Sequence, residues 1–124
     1  MRRLMLIACS AIGAIVCWSN PSLTHSFPDK EQPAAGQAVA PAPSEVSIRY
    51  DAPIEHLFAS LQVLDALGNN MAAGQPQVSS DGYTLSVKLK ALKPGFYTVK
   101  WSVVCIDTHH TQGSYTFSVS GTGS

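Results

Sequence analysis

The chain has 124 residues, of which 13% are charged, and its eight basic residues balance its eight acidic ones. After removal of an N-terminal signal, a chain of this length holds one compact domain and no more. Because no basic patch stands out, the composition argues against nucleic acid as a partner.

The first 24 residues have the pattern of a secretory signal peptide. Two arginines precede an apolar stretch at residues 4–16, and small or turn-forming residues follow it. The stretch is too short for a membrane span, and its flanks are those of an export signal. We expect cleavage after Thr24, which leaves a mature chain of 100 residues that begins at His25.

The mature chain keeps six basic and all eight acidic residues, so its formal charge is −2. Two of the three cysteines leave with the signal, and Cys105 remains. An exported protein with one cysteine has no internal disulfide, so its core must stabilise the domain unaided. We expect Cys105 to be a small buried hydrophobic residue, and a soft-metal or regulatory role for its thiol is the alternative.

The mature chain predicts short strands separated by turns, without a long helical period. Residues 27–44 are rich in proline and indicate an extended N-terminal arm. Alternating or apolar stretches predict strands at residues 45–50, 57–64, 77–79, 84–89, 96–106 and 114–119. Residues 54–59 could form one helical turn, and residues 120–124 are expected to be a disordered tail. The pattern is that of an all-β antiparallel sandwich of about seven strands.

The motif Asp107-Thr108-His109 places two metal-binding residue types one position apart. In a β-strand, residues i and i+2 project from the same face, so we expect the Asp107 carboxylate to meet the His109 imidazole. If the mature chain begins at His25, its amine and imidazole add two nitrogen ligands. Two imidazoles, an amine and a carboxylate form the set that Cu(II) prefers in tetragonal geometry. We therefore expect one Cu(II) ion per chain.

The other candidate residues have simpler interpretations. His110 would point to the opposite face of the strand and is expected at the surface. His56 lies in a turn region and is expected to face solvent, with a supplementary ligand role left open. Asp107 and His109 could themselves belong to an ordinary loop, because aspartate is a common turn former. Tyr50 is expected in the core.

Four segments together resemble the CopC-type periplasmic copper-binding proteins. In chain order they are His25 with PAAG at residues 33–36, IRYDAPIE at residues 48–55, LKPGFYTVKW at residues 92–101, and DTH at residues 107–109 with GSYTF at residues 113–117. The third resembles the family's Leu-x-Pro-Gly-x-Tyr-x-Val-x-Trp signature, and the last resembles its Asp-x-His and Gly-x-x-x-Phe close. Each motif alone is common in β-sandwiches, but their order and spacing are specific.

The resemblance implies an immunoglobulin-like Greek-key β-sandwich or barrel at residues 25–119 and a periplasmic location. It implies that the N-terminal amine and imidazole of His25, with Asp107 and His109, bind Cu(II). The implied function is that of a monomeric Cu(II) carrier or buffer in copper homeostasis or resistance, and not that of an enzyme. A CopD-type inner-membrane copper transporter is the implied partner.

Two positions depart from the family pattern. Ala52 stands where the family often has a glutamate, so a carboxylate near the metal is lost or supplied differently. Met71 is the only methionine of the mature chain, whereas some members carry a methionine-rich loop for Cu(I). Soft thioether ligands are therefore nearly absent.

Two other functions stay open at this point. A metal-free immunoglobulin-like scaffold would fail to bind any metal. An N-terminal histidine with a second histidine also resembles the copper brace of polysaccharide monooxygenases, which would show copper-dependent activity on chitin or cellulose. That enzyme class needs a larger domain and a flat aromatic surface, and the aromatic residues here alternate as core residues do.

Overall fold

The computed structural model describes residues 26–121, and within this part of the chain no residue is helical. The predicted signal peptide, His25 and residues 122–124 lie outside the described residues. No helix within residues 26–121 is long and apolar enough to cross a membrane. The described strands are β1 (Pro28–Gln32), β2 (Ala38–Val39), β3 (Glu45–Tyr50), β4 (Ser60–Leu64), β5 (Gln77–Val78), β6 (Thr84–Lys88), β7 (Gly95–Val104) and β8 (His110–Val119).

These strands form two four-stranded sheets with the orders β1-β3-β6-β5 and β2-β8-β7-β4. All pairs are antiparallel except β2 with β8. Buried and exposed side chains alternate along β3, β4, β6 and β8, and the buried ones form one apolar cluster. Each fully buried aliphatic side chain stabilises the fold by about 1.5–3 kcal/mol. The predicted all-β sandwich is confirmed, with one parallel pair in addition.

The predicted N-terminal arm is instead part of both sheets. Strand β1 pairs with β3, and β2 pairs with β8. Both are edge strands, and edges are where a sheet tolerates proline, because one row of their N–H groups needs no ladder partner. Pro28 opens β1, and Pro33 follows its last residue. The prolines therefore limit the length of these strands without preventing them.

The strand bounds around the β7–β8 connection also differ from the sequence prediction. Strand β7 ends at Val104 rather than at residue 106, and β8 begins at His110 rather than at residue 114. Gly113, which suggested the start of the last strand, lies inside β8 opposite Trp101. A Cβ atom at residue 113 would lie 2.6 Å from Cζ2 of Trp101. The glycine is thus required by the packing of the indole and does not mark a turn.

Residues 54–59 do not form the helical turn that the sequence allowed. Ile54 makes an isolated bridge with Cys105, and the N–H of Glu55 donates to the carbonyl of Val104 at 2.8 Å. This loop therefore lies against the end of β7, next to the connection that carries Asp107.

Candidate metal centre

A tight turn connects β7 and β8 and carries two of the predicted ligands. The N–H of Thr108 donates to the carbonyl of Cys105 at 2.9 Å, and the N–H of Cys105 donates to the carbonyl of His109 at 2.8 Å. Thr108 has φ 76°, a left-handed conformation that is uncommon for a β-branched residue. The prediction that Asp107 and His109 share a strand face is therefore wrong, because the strand ends before them.

The turn nevertheless brings the two side chains together. Nδ1 of His109 lies 3.1 Å from Oδ2 of Asp107, and the N–H of His109 donates to Oδ1 of Asp107 at 3.3 Å. About half of each side chain is exposed, 53% for His109 and 42% for Asp107. A nitrogen and an oxygen donor thus meet at one accessible point, which is half of the set that Cu(II) prefers.

No group of three or more His, Cys, Asp or Glu side chains that could hold a metal ion occurs within residues 26–121. Asp107 and His109 form a pair, and tetragonal Cu(II) requires further donors. The third predicted ligand, His25, lies outside the described residues. It stays a prediction.

Ser26, the first described residue, is fully buried beside this turn. Its N–H donates to Sγ of Cys105 at 2.8 Å, and its carbonyl accepts from Oγ1 of Thr111 at 2.8 Å. Its hydroxyl donates to the carbonyls of Ala52 and Pro53, each at 3.2 Å. We call these contacts the Ser26 anchor. They hold the start of the described chain next to the residues that flank Asp107 and His109.

Asp51 extends the attachment of the chain start by one residue. Its Oδ1 accepts from the N–H of Phe27 at 2.8 Å, and its own N–H donates to the carbonyl of Phe27 at 3.0 Å. The carboxylate next to Ala52 therefore orders the backbone, and Ala52 takes part through its carbonyl. Neither the Ser26 anchor nor the Asp51 pairing has a sequence signal, because serine, threonine and aspartate at these positions are ordinary strand and turn residues.

The other titratable candidates fall where the sequence predicted. His110 is exposed, and its Nε2 lies 2.5 Å from Oγ of Ser102. His56 is exposed in the loop before β4. Cys105 is buried, with 2% of its surface exposed. Its role as the acceptor for Ser26 was not anticipated.

Two buried tyrosines are excluded as ligands by their surroundings. Tyr50 and Tyr115 lie in the core, and their hydroxyls have no hydrogen-bond partner within the described residues. Burial raises the pKa of both hydroxyls, with a smaller contribution from the charge of Glu31. Neither side chain therefore offers a phenolate oxygen near neutral pH, and the prediction that Tyr50 is a core residue is confirmed.

Comparison with known proteins identifies the family of this chain and connects the domain to copper. The CopC domain family matches residues 29–120. Protein YobA of Escherichia coli K12 is 35% identical over 104 residues, which are 82% of this chain and 80% of YobA. The copper transport protein CutJ of Bacillus subtilis is 27% identical over 100 residues, which are 79% of this chain and 18% of CutJ.

Solved structures agree with this assignment. CopC from Methylosinus trichosporium OB3b superposes with a TM-score of 0.72 at 30% identity, over 77% of this chain and 94% of CopC. PcoC, a methionine-rich copper resistance protein from Escherichia coli, gives a TM-score of 0.67 at 26% identity, over 77% of this chain and 98% of PcoC. PcoC and CutJ are named for copper resistance and copper transport, in agreement with the prediction that the chain is not an enzyme. The chain therefore belongs to the CopC domain family and has a copper-related function.

Proposed function

We propose that this protein binds one Cu(II) ion through the amine and imidazole of His25 together with Asp107 and His109. In this proposal the mature chain begins at His25 after export, and the protein carries or buffers copper in the periplasm. The observation that supports it most is the Ser26 anchor, because the residue bonded to His25 is buried beside the turn that presents Asp107 and His109.

Distance and coordination chemistry both favour this ligand set. Consecutive Cα atoms are about 3.8 Å apart, which keeps the amine and imidazole of residue 25 within reach of the turn. Binding through the amine and the side chain of one residue closes a chelate ring, so the second bond costs little further entropy. Cu(II) stands at the top of the divalent affinity order for such donors, so it outcompetes Zn(II) and Ni(II).

The exposure of the paired side chains suits a carrier. A protein that passes on its metal must let the recipient's ligands approach, and His109 and Asp107 are each about half exposed. The anchored start of the chain makes withdrawal of the N-terminus a costly route, because it would leave the buried N–H of Ser26 unpaired. Exchange of Asp107 and His109 for the recipient's ligands is the route we favour.

The recipient in this proposal is a copper transporter of the CopD type in the inner membrane. The relationship to CutJ supports it, because a segment similar to this chain occupies 18% of a protein named for copper transport. Because a similar segment is part of a transport protein in Bacillus subtilis, we expect this chain to act by docking on such a protein.

A Cu(II) titration of the mature protein, followed by electron paramagnetic resonance, tests the ligand set. We expect one equivalent of tetragonal Cu(II) with nitrogen hyperfine structure. One extra glycine before His25 turns its amine into an amide, and we expect a loss of affinity of at least about 100-fold, since even the partners of metal ligands are worth 10–100-fold.

Three outcomes decide the proposal. Unchanged affinity in the extended protein contradicts the N-terminal chelate. Absence of copper binding in both proteins supports the metal-free scaffold instead. The intact mass of the exported protein must correspond to a chain that starts at His25, because any other start removes the chelate that the amine and imidazole of this one residue form.

A further inference from the structure

Two residues that bind no metal hold the chain next to the proposed copper ligand. We propose that Cys105 and Thr111 are positioning residues, which orient Ser26 so that the preceding residue enters the copper site in one direction. This inference rests on the proposed function, since it assigns a role to groups that act through His25. It gives the only cysteine of the mature chain a purpose other than filling the core.

The orientation follows from the geometry of the peptide bond. The six atoms of a peptide unit are coplanar, including the Cα atom of the preceding residue. The N–H of Ser26 points to Sγ of Cys105 at 2.8 Å, so in this proposal the sulfur sets the direction from which the preceding residue enters the site. The carbonyl of Ser26 accepts from Thr111 at 2.8 Å, which fixes the next peptide unit as well.

Burial makes this orientation difficult to change. Ser26 is 0% exposed, Cys105 is 2% exposed and Thr111 is 9% exposed. Water therefore cannot replace either partner without opening the structure, and a buried backbone N–H without an acceptor is unfavourable. A rotation of the peptide away from the sulfur would also break the bonds from the serine hydroxyl to Ala52 and Pro53.

The same two residues border the turn that carries the ligands. Cys105 comes two positions before Asp107, and Thr111 comes two positions after His109. The backbone N–H of Cys105 also donates to the carbonyl of His109 at 2.8 Å. Cys105 thus contacts the chain start with its sulfur and the ligand turn with its backbone, so both halves of the site keep one relative position.

Substitutions at Thr111 test this role in the full mature chain. Thr111→Val has the same shape but lacks the donor, and Thr111→Ser keeps the donor. We expect Thr111→Val to weaken Cu(II) binding about 10–100-fold, the range found for partners of metal ligands. Thr111→Ser should stay within about threefold of the original protein. Competition with a chromophoric Cu(II) chelator gives the affinity, and the paramagnetic resonance spectrum of Thr111→Val should show altered copper hyperfine splitting.

A double-mutant cycle separates positioning from general stability. Its second change is His25→Ala together with one extra glycine before residue 25, because His25→Ala alone leaves the amine of that residue in place. If Thr111 acts through residue 25, Thr111→Val should cause no further loss of Cu(II) affinity once both donors of residue 25 are gone. An equal loss in both backgrounds overturns the inference, because it indicates a purely structural effect. Cys105→Ala is the second variant, and it must show the same dependence on His25.

The outcomes distinguish this inference from the proposed function. If His25→Ala weakens Cu(II) binding but Thr111→Val and Cys105→Ala do not, the positioning role is wrong and the ligand set stands. If His25→Ala leaves the affinity unchanged, both are wrong. Thermal unfolding of each variant without copper checks that the sandwich is folded at the temperature of the titration.

Discussion

Two turns at opposite ends of the β2-β8-β7-β4 sheet are built around an aspartate, and they use its carboxylate differently. In the turn after β4, Oδ1 of Asp65 accepts from the N–H groups of Leu67 and Asn69, each at 2.9 Å. Its Oδ2 accepts from Nδ2 of Asn69 at 3.1 Å. In the turn after β7, Oδ1 of Asp107 accepts from the N–H of His109 at 3.3 Å, and Oδ2 lies 3.1 Å from Nδ1 of the same histidine.

The comparison shows that the same residue type can bond to backbone and amide groups in one turn and to an imidazole in another. Three donors converge on Asp65, so both of its carboxylate oxygens accept hydrogen bonds within the turn. The hydrogen bonds from Asn69, first from its backbone and then from its side chain, hold the pKa of Asp65 below its ordinary value of 3.8. Asp107 instead pairs with the imidazole of His109, and a carboxylate beside an imidazole is common at metal sites.

Replacement of His109 should give the largest effect on copper. His109→Ala removes a proposed nitrogen ligand, and we expect Cu(II) affinity to fall by at least about 100-fold, above the range for partners of ligands. His56→Ala is the matched control, because it removes an exposed histidine from a neighbouring loop and should leave the affinity unchanged. Competition titrations measure both. Equal affinities for the two variants would remove His109 from the site.

Replacement of the two aspartates tests the comparison directly. Asp107→Ala should weaken Cu(II) binding about 10–100-fold, less than His109→Ala because an oxygen donor is lost. Asp65→Ala should leave Cu(II) binding unchanged and lower the melting temperature, because three hydrogen bonds of the turn are lost. Copper titrations and thermal unfolding of both variants check this. A copper defect in Asp65→Ala would show that the two turns are not independent.

A methyl group at residue 113 should disturb the strand pair that carries the Asp107 turn. Gly113→Ala places a Cβ atom 2.6 Å from the Trp101 ring, and we expect a destabilisation of about 1–3 kcal/mol from overpacking. Gly121→Ala is the control, because its nearest neighbour would be Pro94 at 4.0 Å. Chemical denaturation followed by tryptophan fluorescence gives both values. Equal stability of the two variants would mean that the indole moves aside without cost.

The Asp65 turn should also have an acid signature. Because the folded pKa of Asp65 is lowered, its contribution to stability is complete above the ordinary value of 3.8 and is lost as pH falls through the lower folded value. The difference in melting temperature between the original protein and Asp65→Ala should therefore shrink below pH 3.8. A difference that stays constant in acid would contradict the hydrogen-bonded carboxylate.

The smallest effect on copper binding is expected from replacement of the sulfur-containing residues. The N–H of Met71 donates to the carbonyl of Val63, and Val63 pairs with Val99 of β7, so Met71 lies near the level of Val99. Cys105 comes six residues after Val99, which corresponds to about 20 Å at 3.4 Å per residue. The thioether and the thiol cannot share one ion, so Cu(I) binding should be weak and Met71→Ala should not change it. A Cu(I) chelator competition tests this, and tight binding lost in Met71→Ala would contradict it.

The strands that the sequence predicted best are those with complete alternation. Strand β3 has the predicted bounds, because Val46, Ile48 and Tyr50 all face the core. The edge strands β1 and β2 were missed, because an edge strand can be short and can border prolines. The start of β8 was misplaced, because the sequence does not distinguish a glycine that accommodates an indole from a glycine that makes a turn.

The site was predictable only in part. The spacing of the motif identified Asp107 and His109 as candidate ligands. Their side chains meet because Thr108 between them has a left-handed conformation, and not because they share a strand face. The Ser26 anchor could not be predicted, since it depends on contacts between residues far apart in the chain and involves no unusual residue types. Whether His25 completes the site stays a prediction.

The Ser26 anchor has a consequence for folding order. Ser26 is 79 residues from Cys105 and 85 residues from Thr111, so Ser26 finds these two partners only after nearly the whole chain is present. Contacts of such high sequence separation are slow to form, because the closure of a long loop costs entropy before the contact repays it. A copper ion bound to both ends would act as a removable cross-link. The free energy of unfolding of the loaded protein should then rise with the logarithm of the free copper concentration, and an incomplete chain would have no site to load.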